Sequence, residues 1–182
     1  YPFAKAGGAM LNFNCATILI PVCRNMLSWL RTTPVNDILP LDDNIYFHKL
    51  CGIGIVVGAL IHIVCHHWNF YEMLYNYQFG SSGTSYAGLM FGSFSNLTGY
   101  AILLAMVPMY VTALECVRRS KKRLVCFRCA CCCCCQQKGY TLFFNTHKLW
   151  YIVIALLWLH GKSFWIYSLW PVIFALMEKV IQ

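Results

Sequence analysis

Five stretches of this chain are apolar over enough residues to cross a membrane. A transmembrane helix needs about 20 mostly apolar residues, because the hydrocarbon core is ~30 Å thick and a helix rises ~1.5 Å per residue. The stretches lie near residues 6–30, 49–70, 98–117, 146–163 and 165–181. Only 11% of the residues are charged, against about 25% in soluble domains. The sequence therefore predicts an all-α, polytopic transmembrane helical bundle with five crossings.

The basic residues predict the orientation of these helices, because Lys and Arg in short loops stay on the cytoplasmic side. Of the 14 Lys and Arg residues, only Lys5 and Lys162 fall on one side of the predicted bundle. We therefore expect an integral membrane protein with its N-terminus outside and its C-terminus in the cytoplasm. The net charge of +8 follows from this topology and from contact with anionic lipid, so no nucleic-acid partner is expected.

Two of the predicted crossings each carry a histidine near both ends. His48 and His62 lie 14 residues apart on the second crossing, and His147 and His160 lie 13 apart on the fourth. An ionisable side chain at membrane depth is costly and marks a candidate functional site. Both helices begin on the cytoplasmic side. His48 and His147 should therefore share an inner level, and His62 and His160 an outer level, which gives two pairs of facing imidazoles.

Paired imidazoles at two depths are what two haems between helices require, because His is a usual axial ligand of haem iron. Covalent attachment needs Cys-x-x-Cys-His, which the sequence lacks, so noncovalent b-type haem is predicted. On an ideal helix, however, 13 residues turn His160 about 140° away from His147. The fourth crossing must therefore bend, change its pitch, or meet the two haems from different angles.

Other residues near the histidines have more than one interpretation. His66 lies one turn above His62 and is a candidate for an outer aqueous cavity. Arg24 and Lys5 are candidates to pair with haem propionates or to attract an anionic product, and Arg24 also fits snorkelling to the headgroups. The Gly54-x-x-x-Gly58 pattern fits close porphyrin contact and ordinary helix packing equally well.

The loop after the third crossing combines a basic run with seven of the 12 cysteines, from Cys126 to Cys135. Its position on the reducing side of the membrane argues against disulfides. S-palmitoylation beside the basic run is the first interpretation, and no defined role is the second. Zinc binding by Cys126 and Cys129 is the third interpretation. It ranks last because no second ligand pair lies at zinc-finger spacing.

Several strings closely resemble the ferric-reductase-like transmembrane domain of the NADPH oxidases, a family in which histidine spacings of 14 and 13 are a hallmark. They are Leu11-Asn12-Phe13-Asn14-Cys15, Pro21-Val22-Cys23-Arg24-Asn25, Phe47-His48-Lys49, Thr146-His147 and Leu159-His160-Gly161. The resemblance covers the family's second to sixth crossings, so residues 1–182 are expected to be a fragment of a six-helix, di-haem domain. The chain starts without Met, and the family's first helix and its C-terminal dehydrogenase domain for FAD and NADPH are expected outside it.

The resemblance implies an NADPH oxidase of the plasma membrane. In such an enzyme, electrons pass from cytosolic NADPH through FAD and two haems to extracellular oxygen, which becomes superoxide. His48 and His147 would bind the inner haem iron, and His62 and His160 the outer one. Because imidazoles fill both axial positions, oxygen would be reduced without binding the iron.

Further roles follow from the same resemblance. His66 and Lys5 would line the oxygen-side cavity, with Lys5 standing where the family has Arg. Val153 stands where the family often has a bulky side chain between the haems, which leaves Trp150 and Tyr151 as nearby alternatives. The closing segment, residues 164–179, looks most like the calcium-regulated oxidases.

Two alternative functions remain from the sequence. A metalloreductase would use the same haem relay on ferric or cupric ions, but Glu72 is the only charge in the outer loop, which offers poor ligands for hard cations. A histidine-lined proton conduit would need no haem, but it would not need matched histidines on two helices either. No Gly-x-Gly-x-x-Gly fingerprint occurs, so this chain is not expected to oxidise NADPH alone.

Overall fold

The computed structural model describes residues 1–75, 85–120, 123–125 and 136–181, and the predicted cysteine cluster from Cys126 to Cys135 falls outside them. These residues are mainly α-helical, which confirms the predicted class. The helices are α1 (Pro2–Thr17), α2 (Arg24–Leu30), α3 (Asn44–Tyr75), α4 (Tyr86–Phe91), α5 (Phe94–Ala113), α6 (Glu115–Arg118), α7 (Gly139–His147), α8 (Trp150–His160) and α9 (Phe164–Ile181). One antiparallel ladder joins β1 (Arg123–Val125) to β2 (Gln136–Lys138).

Three helical segments of the described chain are long and apolar enough to cross a membrane. They are Leu41–Tyr75, Phe94–Ala113 and Gly139–His160, and the bent pair Pro2–Val22 and Arg24–Leu30 makes a fourth if it is one span. The predicted fifth crossing, residues 165–181, forms the helix α9 but is not among these spans. The described residues therefore contain three to four candidate spans, and the count of five stays a prediction.

The chain divides into two compact units, residues 1–89 with 163–182 and residues 90–162. In the first unit, residues 6–30, the first predicted crossing, do not form one continuous helix, and whether they make one broken crossing stays a prediction. Helix α1 is followed by a 3₁₀ turn at Ile20–Val22, and α2 then leaves at 77° to the preceding segment. Pro21 lacks an amide proton and disfavours helical geometry at the residue before it, and Cys23, with ψ of 85°, lies outside the helical region.

Helix α3 runs unbroken for 32 residues and packs against α1. Its contacts occur in opposite order along the two helices, because His48 meets Ile18 and His62 meets Ala4, so the helices are antiparallel. Glycines permit the close approach: a Cβ on Gly7 would lie 2.8 Å from the His62 amide nitrogen, and one on Gly58 would lie 3.3 Å from Leu11. These contacts support the helix-packing interpretation of Gly58, and close contact with a porphyrin stays a prediction.

The same unit also ties α9 to α2. The Glu178 carboxylate accepts hydrogen bonds of 2.8 and 3.0 Å from the backbone amide of Asn25, in the first turn of α2. This carboxylate is suited to its place, since a helix N-terminus carries unpaired amides and partial positive charge. The bond fixes the direction that α2 takes after the bend.

In the second unit, α5 packs against α7 and α8. Helix α5 begins four residues before the predicted start of the third crossing, because the Ser93 side chain caps it by accepting from the Asn96 amide. It ends at Ala113, four residues early, because Leu114 is extended with ψ of 137°. Pro108 lies inside α5 without ending it.

The fourth predicted crossing, residues 146–163, is two helices rather than one. Helix α7 ends at His147, and α8 begins at Trp150. Between them, the amides of Leu149 and Tyr151 bond to carbonyls three residues back, at 3.0 and 3.3 Å. Each residue in such a turn rotates by about 120° instead of about 100°, so each of them reduces the 140° mismatch expected for an ideal helix by about 20°. A local change of pitch, one of the three possibilities that the sequence left open, is therefore present.

Candidate functional site

His62 is held against α1 in the first unit. Its Nδ1 atom lies 2.9 Å from the Ala4 carbonyl oxygen. One turn further along α1, Gly8 faces the ring, and a Cβ there would lie 3.4 Å from both Cε1 and Nδ1. The ring therefore packs against α1 at a glycine, and its contact with the Ala4 carbonyl fixes its position along α1.

His48 is held against α1 in the same way, near the other end of the pair. Its Nδ1 atom lies 3.0 Å from the carbonyl oxygen of Ile18, just after the end of α1. Ala4 and Ile18 are 14 residues apart, as are His48 and His62. Antiparallel packing thus gives the two histidines of α3 equivalent partners on α1.

His160 is held against α5 in the second unit. Its Nδ1 atom lies 2.8 Å from the Ser95 carbonyl oxygen and 3.2 Å from Oγ1 of Thr98. One turn after Ser95, a Cβ on Gly99 would lie 3.0 Å from the Cε1 atom of the ring. A carbonyl and a glycine four residues later hold the ring, which is also the arrangement around His62.

His147 is fixed by its neighbours on α7 and α5. Its ring packs on Phe143, with the ring centroids 4.8 Å apart. The preceding residue, Thr146, shares a 2.6 Å hydrogen bond between hydroxyl groups with the buried Thr112 of α5. These contacts position the end of α7 at the point where the helix breaks.

The carbonyl contacts determine the chemistry of three imidazoles. A backbone carbonyl only accepts hydrogen bonds, so Nδ1 of His48, His62 and His160 must carry a proton. The lone pair of each neutral ring then lies on Nε2, the nitrogen that binds a metal. Metal-binding histidines generally donate their other N–H to a carbonyl or carboxylate, which orients the ring. The donor set therefore fits iron porphyrin, and each unit contributes imidazoles of this kind.

The structure brings His66 to His62, with ring centroids 4.5 Å apart in an edge-to-face arrangement. Lys5 follows Ala4, the residue whose carbonyl contacts His62, and its amino group lies 4.9 Å from the centroid of the Tyr1 ring. Both residues of the predicted oxygen-side cavity therefore lie near the same end of the α1–α3 pair. Their role in such a cavity stays a prediction.

Arg24 is exposed and is the first residue of α2. The Asn44 side chain donates a 3.1 Å hydrogen bond to the carbonyl of Pro21, which fixes the segment before Arg24 one turn away from His48. Arg24 therefore lies toward the end of the α1–α3 pair that carries His48. Its proposed pairing with a propionate stays a prediction.

The residues predicted for the interhaem route differ in burial. Val153 is buried within the second unit, whereas Tyr151 is exposed and stacks on Trp150 with ring centroids 3.9 Å apart. The stacked pair begins α8, directly after the break that follows His147. Its part in electron transfer is not tested by these contacts.

Sequence reasoning missed the residues that hold the histidine rings. The carbonyl partners Ala4, Ile18 and Ser95 were not recognisable, because every residue has a carbonyl. A signal was available in Gly8 and Gly99, since a glycine inside an apolar helix often marks a close approach. Thr98 was a second signal for a ring contact, because it places a hydroxyl group next to Gly99 in a predicted crossing.

The fold and the imidazole positions fit a membrane-embedded protein of the ferric-reductase type. Residues 8–158 match the family model described as the ferric reductase like transmembrane component. The chain belongs to this family of ferric-reductase-like transmembrane proteins, and its apolar helices make it an integral membrane protein.

The similar curated proteins are NADPH oxidases, which confirms the resemblance noted in the sequence. The chain is 33% identical to respiratory burst oxidase homolog protein D of Arabidopsis thaliana, over 98% of this chain and 21% of the relative. It is 34% identical to NADPH oxidase 5 of Homo sapiens, over 98% and 22%. It is 31% identical to a superoxide-generating NADPH oxidase heavy chain of Dictyostelium discoideum, over 99% and 34%. The chain thus spans between a fifth and a third of the length of these relatives.

Proposed function

We propose that this chain is the haem-bearing part of an NADPH oxidase. It transfers electrons from cytosolic NADPH, through FAD, to extracellular oxygen and so produces superoxide. Two b-type haems are bound, the inner one by His48 and His147 and the outer one by His62 and His160. The observation that carries the proposal is the Nδ1 contact of three of these histidines with backbone carbonyls, in a chain of the ferric-reductase-like family.

When bound, haem supplies an iron that takes up and releases one electron at a time. The protein's own residues bind it and set its surroundings. The four histidines would ligate iron, through Nε2 in His48, His62 and His160, whose rings are held in position by the carbonyls of Ile18, Ala4 and Ser95. Lys5 and His66 provide basic groups on the oxygen side, where a positive charge favours a developing superoxide anion. Arg24 pairs with a propionate at the inner level.

The proposal includes the topology of the whole protein. Residues 1–182 form one di-haem domain with five crossings, with the N-terminal end outside and the C-terminal end in the cytoplasm of a plasma-membrane protein. The distribution of Lys and Arg supports this orientation. A dehydrogenase domain that binds FAD and NADPH supplies the electrons. The length of the curated relatives supports further domains of this kind.

Superoxide output tests the proposal. The full-length protein, reconstituted in lipid with FAD, should reduce an extracellular superoxide probe when NADPH is added on the cytosolic side. Superoxide dismutase should suppress the signal, because the direct product is the one-electron product. NADPH consumption without a signal sensitive to dismutase would contradict the proposal.

Reduction of ferric or cupric ions is the second candidate, favoured by the description of the matched family as ferric-reductase-like. The same preparation should then reduce a ferric chelate rapidly, with oxygen removed and with dismutase present. We propose oxygen as the acceptor because the similar curated proteins are named as oxidases. A ferric rate above the oxygen rate would favour the second candidate.

A further inference from the structure

Thr98 brings a buried hydroxyl to the ring of His160. The residue is 6% exposed, and its Oγ1 atom lies 3.2 Å from Nδ1 of His160. The Ser95 carbonyl oxygen lies 2.8 Å from the same nitrogen. The absence of a side chain at Gly99 permits this approach, since a Cβ there would lie 3.0 Å from the ring.

The positions of the protons follow from the partners. Because the Ser95 carbonyl only accepts, Nδ1 of His160 carries a proton and cannot accept one from Thr98. Thr98 Oγ1 therefore accepts from Nδ1–H, and its own proton goes to the carbonyl of Phe94 at 3.0 Å or of Ser95 at 2.9 Å. The Nδ1–H of His160 is thus shared between two oxygen atoms in a three-centre hydrogen bond.

We propose that Thr98 is a positioning residue that lowers the reduction potential of the haem bound by His160, an inference that rests on the proposed function. Oxygen acceptors on Nδ1–H raise the basicity of an imidazole as a metal ligand. A more basic axial ligand stabilises oxidised iron relative to reduced iron, and hydrogen bonding around the ligands is one of the protein's means of setting the potential. Thr98 thus makes the haem at the outer level a stronger one-electron donor.

The test is a redox titration of the full-length protein in lipid, in which the two haems titrate as two one-electron couples. Thr98→Val keeps the shape of the side chain and removes the hydroxyl. We expect it to retain both haems and to raise one potential. The reduced-to-oxidised ratio of that haem at fixed potential should rise roughly three- to tenfold, the worth of one hydrogen bond. Tenfold corresponds to about 59 mV for one electron.

Two further variants separate tuning from packing. Thr98→Ser restores the hydroxyl and should return the potential toward the wild-type value. Ser168→Ala is the control for the loss of a buried hydroxyl, because Ser168 is also buried and also bonds one turn back, to the Phe164 carbonyl, but lies on α9, which carries none of the four histidines. It should leave the potential of the haem bound by His160 unchanged. If Thr98→Val loses haem, Thr98→Ala removes the hydroxyl without a branched side chain and takes its place.

The outcomes are distinguishable from failure of the proposed function. His160→Leu should remove one haem and so identify the couple that Thr98 tunes. Retention of both haems in His160→Leu would contradict the proposed ligand set. Loss of one haem in His160→Leu, with unchanged potentials in Thr98→Val, would overturn the role of Thr98 alone. A shift in Thr98→Val that Thr98→Ser does not reverse would also overturn it, because the hydroxyl would then not be the cause.

Discussion

The two units hold His62 and His160 by the same pattern of contacts, but with different room for a side chain at the neighbouring glycines. In the first unit, the carbonyl of Ala4 meets His62, and Gly8 lies one turn later; in the second, the carbonyl of Ser95 meets His160, and Gly99 lies one turn later. At Gly7, however, α1 meets α3 backbone to backbone, because a Cβ placed there would lie 2.8 Å from the His62 amide nitrogen. At Gly99, only a side-chain ring stands close.

This difference shows that Gly7 and Gly99 have different structural roles. A side chain on Gly7 would push α1 and α3 apart, because the backbone of a helix cannot rotate out of the way as a side chain can. A side chain on Gly99 would displace one imidazole ring, which can move by rotation about its side-chain torsion angles. The first unit therefore depends on glycine for its assembly, whereas the second depends on it for the position of one ligand.

The histidine-bearing helices differ in a second way. Helix α3 is continuous over its 14-residue spacing, which turns His62 only about 40° from His48 on an ideal helix. In the second unit, the break between α7 and α8 falls within the 13-residue spacing of His147 and His160. One unit thus carries its two histidines on a continuous helix, and the other carries them on two helices with a local change of pitch between them.

The largest effect should come from removing the histidines themselves. His62→Leu and His160→Leu lie in different units, yet each should cost the same outer haem and leave the inner haem less changed. We expect the haem-to-protein ratio to fall by half in either variant, and superoxide output to be lost. Absorbance of the reduced haem per protein measures the ratio.

His67→Leu is the matched control for these two variants, because His67 is one residue beyond His66 on α3 and bonds to Tyr86 of α4 at 2.6 Å. Its haem content should match the wild type. If His160→Leu kept its haem while His62→Leu lost one, the two units would not share a haem.

The next largest effect is expected for Gly7→Ala. Its Cβ would lie 2.8 Å from the His62 amide nitrogen and 3.1 Å from the Gly58 carbonyl oxygen, so α1 and α3 must move apart. Overpacking of this kind typically destabilises a protein by about 1–3 kcal/mol. Thermal unfolding of the purified protein in lipid should show a lower midpoint than the wild type.

Gly54→Ala supplies the comparison for Gly7→Ala. Its Cβ would meet the Asn14 side chain at 2.5 Å, and a side chain can rotate away. We expect a smaller loss of thermal stability than in Gly7→Ala. Equal losses in the two variants would show that backbone contact is not what distinguishes Gly7.

The sequence predicted those features that depend on residue type. The 13-residue spacing of His147 and His160 predicted a bend, a change of pitch or haems at different angles, and the structure has a change of pitch. The role of the four histidines as haem ligands stays a prediction. The sequence did not predict the bend at Cys23, because Pro21 is compatible both with a kinked span and with a broken one. It also missed the carbonyls of Ala4 and Ser95, because the backbone group that meets a ring depends on how two helices pack.

The smallest predicted effect separates Gly99 from Gly8. Replacing glycine by alanine inside a helix gains about 0.8–1.0 kcal/mol of helix propensity, so thermal stability hardly distinguishes the two variants. The ring does. A Cβ on Gly99 would lie 3.0 Å from the Cε1 atom of His160 and must displace the ring by a few tenths of an ångström, whereas a Cβ on Gly8 would lie 3.4 Å from His62, an ordinary contact.

Electron paramagnetic resonance of the oxidised haems tests this prediction, because the spectrum of low-spin iron responds to the orientation of its axial imidazoles. Gly99→Ala should alter the signal of one haem, since turning the ring lengthens the bonds from Nδ1 to Ser95 and Thr98. Gly8→Ala should alter it less. A larger change in Gly8→Ala would mean that the α1 face, rather than the α5 face, limits the position of a ligand ring.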